Sequence, residues 1–294
     1  MRDRITSWKR AFEADDQAIL PTLINFAWNY ASFSTIVEVV RNSPEEPDGS
    51  RSLNPLLFDL LIGGYWGNAL LAVRRLVDKG PIQGPNGVCS ISAIIQDVRA
   101  CRQRLTRKVY VEDIAGLSYN YEVLKDHYWR HVLAQPPGPR YVPRELEYEP
   151  SEDRHAQFDW LSGTTPGNST PDDLIREEVF DRLEARLAPL DGVAAHATIH
   201  YAHAATEASR NGRVLAQWGQ GEAKEALKTL AETAELVGRW FCYSGIGNIL
   251  PTPQYDQFRF LDRLAPISEE QLQQQWDDFD AEVGRWPSIE DAQL

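Results

Sequence analysis

Residues 191–210 read DGVAAHATIHYAHAATEASR, and this stretch sets the kind of chain that surrounds it. Alanines at 194, 195, 197, 202, 204 and 205 favour a helix and let neighbouring backbones approach closely. On a helix, the spacing i, i+4, i+7, i+11 places His196, His200, His203 and Glu207 along one face. The prediction is a helix capped by Asp191, ended at Asn211 and Gly212, enclosed by other helices, and carrying one polar stripe of metal-capable or proton-transferring groups. Either that stripe is a site or it is a set of hydrogen-bonded interior histidines.

Outward from there, helix starts and stops recur while strand signals are scarce. Residues 2–20 are predicted as a helix with Ile5, Trp8, Phe12 and Ile19 inward, ended by Pro21, and 22–41 as a second. Asn54 as N-cap and Pro55 at the first helical position open a long helix to Asp78, whose apolar run 60–73 reads as buried. Gly63, Gly64 and Gly67 within it imply a very close neighbouring helix, because mid-helix glycine is otherwise costly. Ser90 or Ser92 caps a helix through Leu105, and Ser118 opens one that Pro136 and Pro137 stop. Residues 135–170 are rich in Pro, Gly, Ser and Thr, broken by a short helix near 151–161, and read as an irregular excursion. Thr170-Pro171-Asp172-Asp173 has the form of a helix start: capping hydroxyl, proline, then acids in the first turn. Helices follow over 221–243, 254–264 and 268–285, the last with Ser268 and Gln271 in capping-box register. The expectation is one all-α domain over 1–294, a multi-helix bundle of roughly eight to ten helices with a long irregular insertion. Its core spans about 54–243, and an acidic helix and tail occupy 268–294.

Composition agrees with a globular chain: of 294 residues, 43% are hydrophobic and 25% charged. The first residues, MRDRITSWKRAFEADD, have no apolar run of the secretory kind, and 60–73 is too short to span a bilayer. Cys89, Cys101 and Cys242 lack zinc-knuckle or redox spacing, so a cytoplasmic protein with reduced thiols and no membrane partner is expected. A net charge of −13 argues against general nucleic-acid binding, which runs on neutralising phosphates. Residues 71–110 are the exception, with Arg74, Arg75, Lys79, Arg99, Arg102, Arg104, Arg107 and Lys108 against Asp78 and Asp97. This region is either a surface for RNA or a solvated face paired with acids.

All six histidines lie between His127 and His203. The pairs His127/His131 and His196/His200 have the spacing at which two imidazoles chelate one ion, so a divalent metal held between two such helices is the alternative reading. Tyr128 and Ala197 stand where the glutamate of a zinc protease would be, and Glu152/His155 is a single ExxH where a di-iron bundle needs two. The chain has no GxSxG, and the glycines of 80–88 fit no phosphate cradle.

The segments AVRRLVDK (72–79), SISAIIQDV (90–98) and HATIHYAHAATEASR (196–210) together resemble bacterial HEPN-like proteins of the abortive-infection type U kind. Ala202-His203 occupies that family's Ala-His position, and the resemblance covers about 56–210. It implies an all-α bundle, a homodimer, and a phage-defence or conflict setting in which many relatives act on RNA. It also implies that His203, with His196 and His200, is the catalytic candidate, and that Arg74, Arg75 and Asp78 face it across the bundle. Glu207, Arg99 and Arg102 complete the binding candidates. Active relatives carry an arginine before the histidine, whereas the positions five to seven before His203 are Thr198, Ala197 and His196. The resemblance therefore implies an RNA- or protein-interaction module without the usual ribonuclease motif. The alternatives are a metal-dependent bundle enzyme and a structural partner protein without catalysis.

Overall fold

A computed structural model describes residues 1–45, 49, 55–202, 206–210, 212, 218–259, 261 and 267–294. Helix α1 (Arg2–Lys9) buries Ile5 and Trp8, and Trp8 Nε1 donates to Asp97 at 2.7 Å. A π-helical turn, Arg10–Ala14, buries Phe12 before the chain breaks at 15–18 and restarts as α2 (Ile19–Asn42). Pro21 therefore sits in the first turn of α2 and does not end a preceding helix, since the first turn needs no donated N–H. Helices α3 (Pro55–Leu76) and α4 (Ile91–Ala100) follow, the latter capped by Ser90, whose hydroxyl accepts from Ala93 N at 2.9 Å. Asn54, expected to cap α3, lies outside the described residues.

The middle of the chain departs most from expectation. Helix α5 (Tyr121–Leu133) starts after Asn120, and Ser118 provides no cap. Helix α6 (Glu149–Ser162) is part of the core and not a decoration, with Arg154, His155, Phe158 and Leu161 all buried. The segments on either side of it, 134–148 and 163–172, are largely irregular and exposed. Thr170 to Asp173 does not begin a helix; α7 (Glu177–Leu187) starts four residues later. Asp173 is diverted to Arg107, whose side chain is 0% exposed and lies 3.0 Å from Asp173 and 2.6 Å from Asp159. An isolated antiparallel bridge, Thr106 to Leu174, holds the two strands of chain together there, and among the described residues the fold is otherwise helical.

Helix α8 (Asp191–Ala197) continues directly from the 3-10 turn Ala188–Leu190, so Asp191 is not its cap but pairs with Lys79 at 3.1 Å. After a π-helical turn (Thr198–Ala202) comes the short α9 (Glu207–Arg210); Ala204, Ala205 and Asn211 lie outside the described residues. Helix α10 (Gln220–Val237) is the central rod. Its Ala226, Leu227, Leu230, Ala231, Leu236 and Val237 are buried, and it packs on α2, α3, α4 and α7. It runs on through a π-helical turn, Gly238–Cys242, in which a Cβ on Gly238 would stand 2.2 Å from the Phe12 ring and 2.5 Å from the Ser244 carbonyl. Only glycine fits that approach. Arg154 locks the same turn, donating to the Arg239 and Trp240 carbonyls at 2.7 Å each and stacking 3.4 Å above Tyr110. Helix α11 (Glu269–Val283) has the predicted capping box, Ser268 with Gln271, and packs on α2. Residues 254–259 are turns, and most of 260–264 lies outside the described residues.

Candidate functional site

The histidine helix is carried by α3: α8 and the turn after it pack along the second half of that helix. One face is anchored by Val193 and Ala197, while His200 and Tyr201 are exposed, so the stretch is peripheral and not enclosed as its alanines suggested. The rings of His196 and His200 stack at 4.1 Å with an interplanar angle of 26°. Burial pushes His196 below the usual imidazole range, and the neighbouring His200 adds to the shift. Its Nδ1 is shut off from solvent and has no hydrogen-bond partner among the described residues. No described carboxylate orients either ring, and Glu207 is exposed on a separate helix, α9. His203 lies outside the described residues.

The basic and acidic candidates around this pair are largely engaged elsewhere. Arg74 Nε donates to Thr198 Oγ1 at 2.9 Å, so it touches the histidine segment through a threonine. Arg75 points away, toward Gln17 at 3.4 Å. Asp78 does not face a histidine; its carboxylate accepts from Gly80 N at 2.8 Å and fixes the turn after α3. Arg99 is held by Glu177, Asp181 and Glu184 at 2.6, 2.7 and 3.0 Å, and Arg102 by the Ile175 carbonyl and Glu177. The described acids that pair with the 71–110 region thus come from α6, α7, α8 and the turn before α7, with Glu112 beside Lys108, and not from the acidic carboxyl end.

The metal alternative loses its geometry. Among the described residues no three His, Cys, Asp or Glu side chains gather where an ion could be held. His127 is exposed, His131 contacts the Tyr141 carbonyl at 3.1 Å, and His155 is buried between Tyr119 and Tyr121 with Nε2 2.9 Å from the Tyr119 carbonyl.

What stands out instead is the first half of α3. Leu56 is 80% exposed, Leu60 71%, Leu57 47% and Leu61 36%. By length and composition α3 is apolar enough to cross a membrane, yet only 22% of its most apolar window is buried; the reading of 60–73 as an interior run holds from Tyr65 to Val73, where Tyr65, Ala69, Leu70, Ala72 and Val73 are buried, and is corrected for 60–64. Gly63 and Gly64 face open space, with nothing within 4 Å of an added Cβ, so among the described residues no helix packs closely there; at Gly67 the nearest group is the Tyr201 ring at 3.7 Å. At 100° per residue, Leu56, Leu60, Gly63 and Gly64 share one face of the helix. Alongside runs a groove of about 270 Å³ between α2 and α3, floored by Phe33 and Tyr65.

The chain matches no family model, no curated protein and no solved structure.

The exposed leucines were within reach of sequence reading. Residues 56–62, LLFDLLI, are apolar around nearly the whole helix, more than one buried face requires. The buried Arg107 and Arg154 gave no such sign, because an arginine taken into the core looks in sequence like any other.

Proposed function

We propose that this chain is a self-associating protein-interaction module of a bacterial defence system, built on a HEPN-like helical scaffold, and not a nuclease. The observation that carries the reading is the exposed apolar first half of α3. A partner helix is the fitting occupant, because projecting leucines and open glycines lie on the same face and two copies related by a two-fold axis place the leucines of each over the glycines of the other. A bilayer is a poorer match. The buried residues of α3 begin at Tyr65, so the exposed stretch before it is about ten residues, some 15 Å, where a bilayer core needs about 30 Å.

The scaffold part of the proposal rests on the resemblance of 72–79, 90–98 and 196–210, and the non-catalytic part on the engaged arginines and the unoriented His196. RNA remains the competing partner, through the 71–110 region, though Arg99, Arg102 and Arg107 are spent on carboxylates.

Sedimentation velocity of the wild type beside a Leu56→Glu/Leu60→Glu variant tests the reading. A wild-type dimer with a monomeric variant supports it. A wild type that stays monomeric at about 100 μM, where even a weak interface fills, overturns it, and co-sedimentation of that monomer with vesicles would assign the face to lipid. Incubation with a mixed RNA pool beside His203→Ala tests the rest: cleavage by the wild type alone contradicts the non-catalytic reading.

A further inference from the structure

The face of α3 that stands open along its first half is covered by another helix along its second. At 100° per residue, Leu56, Leu60, Gly63, Gly67 and Arg74 lie within about 40° of one line along the helix. On the second half of that line, α8 and the turn after it run in the opposite direction to α3. Asp191 meets Lys79 at 3.1 Å, Thr198 meets Arg74 at 2.9 Å, and the Tyr201 ring stands 3.7 Å from a Cβ added to Gly67. Each step forward in the histidine segment is thus a step back along α3. Among the described residues the cover ends at Tyr201, itself 45% exposed, and Gly63, Leu60 and Leu56 continue the line uncovered.

We propose that a second copy of the chain extends this antiparallel packing, its Leu60 lying over Gly63 and its Leu56 against the exposed side of the Tyr201 ring. Resting on the self-association proposed above, this arrangement adds a direction, a register and a contact outside α3. Leu56 and Leu60 are four residues apart, and so are Gly63 and Gly67, so a two-fold axis that seats Leu60 over Gly63 brings Leu56 to Gly67 in the same register. Tyr201 covers Gly67, so Leu56 meets the ring and not the glycine. A parallel pair fits less well. It sets Leu60 against Leu60, leaves glycine facing glycine, and brings the exposed Asp59 carboxylates of the two copies together, where they repel. The antiparallel register places Asp59 opposite Gly64 instead. His196, stacked on His200, has its ring centre 6.3 Å from that of Tyr201, so the histidine segment serves the interface through its tyrosine.

Disulfide mapping tests the register. Leu56→Cys and Tyr201→Cys copies are oxidised separately and as a mixture, beside Leu60→Cys. The mixture is expected to give a covalent dimer that neither variant gives alone, because Leu56 of one copy stands about eleven residues, some 16 Å, from Leu56 of the other, beyond the reach of a disulfide. A dimer from Leu56→Cys alone, as a parallel pair gives, overturns the proposal. So does a mixture that stays monomeric while Leu60→Cys cross-links, an outcome that leaves self-association standing; if Leu60→Cys also stays monomeric, both fall. Sedimentation velocity supplies the second reading. Tyr201→Ala is expected to weaken the dimer about tenfold, as loss of an aromatic anchor predicts, and Tyr201→Phe, which keeps the ring, to leave it unchanged. Equal dissociation constants for the wild type and Tyr201→Ala overturn the contact.

Discussion

Replacing Arg107 by methionine should be among the most damaging single changes in the chain. The guanidinium is fully buried, 2.6 Å from Asp159 and 3.0 Å from Asp173, donates to the His155 carbonyl at 3.1 Å, and stands over the Phe158 ring at 4.9 Å. It ties the start of the π-helical segment Val109–Ile114 to α6 and to the turn before α7. Methionine keeps the length and the apolar stem but leaves two carboxylates, 17% and 16% exposed, without their cation. Breaking a buried pair in this way costs about 3–5 kcal/mol, and the residual exposure of both acids places this case near the lower end. Urea denaturation followed by far-ultraviolet circular dichroism measures it, the midpoint falling at nearly constant slope.

The same network has an acid signature. The Asp173 carboxyl is held below its ordinary value of 3.8: burial opposes ionisation, but the Thr170 hydroxyl and amide and the Arg107 guanidinium outweigh it. A depressed carboxylate stabilises the fold above its unfolded value, and that contribution is lost as pH falls through the folded value. The wild type should therefore lose this increment below about pH 3.8, and Arg107→Met should show a smaller acid-dependent loss. A variant destabilised by less than about 1 kcal/mol, with an unchanged acid profile, would refute the reasoning.

Other consequences follow from the same contacts. Gly238→Ala forces a methyl against Phe12 and the Ser244 carbonyl and should cost about 1–3 kcal/mol or more, with Phe12→Leu restoring part of it; an unchanged thermal midpoint would contradict the packing described. Ser90→Ala removes the α4 cap and should cost about 1 kcal/mol in urea denaturation. His155 and His196 both titrate below their ordinary value of 6.5, by burial in each case, so they are neutral in the fold and favour it most above that pH. Stability should fall as pH drops below about 6.5, and proton NMR midpoints for these two rings at or above that value would contradict their burial.

Legibility in the sequence followed the range of the interactions concerned. Local signals held: Ser90 and Ser268 cap their helices, and the apolar spacing of α10 and α11 marks their buried faces. Signals that long-range partners override failed. Thr170 to Asp173 has the composition of a helix start, but Asp173 spends its oxygens on a buried arginine 66 residues away. Pro21 reads as a stop and serves as a first-turn residue, because the break at 15–18 is set by the packing of Phe12 and Ala18. The histidine stripe is legible in its first half, where His196 and His200 stack one turn apart, while Glu207 belongs to another helix and His203 lies outside the described residues. The basic region looked like a polyanion surface because sequence shows charges and not their counter-ions, which α7 supplies to Arg99 and Arg102 and Asp159, Asp173 and Asp191 supply to Arg107 and Lys79.

The central claim is that the first half of α3 meets its counterpart in a second copy. Its most direct test is oxidative cross-linking of Leu60→Cys, beside the wild type, whose own thiols are Cys89, Cys101 and Cys242, and beside Val123→Cys, an exposed position on α5. The account predicts a covalent dimer from Leu60→Cys and none from the other two. No dimer from Leu60→Cys, or an equal yield from Val123→Cys, would contradict it.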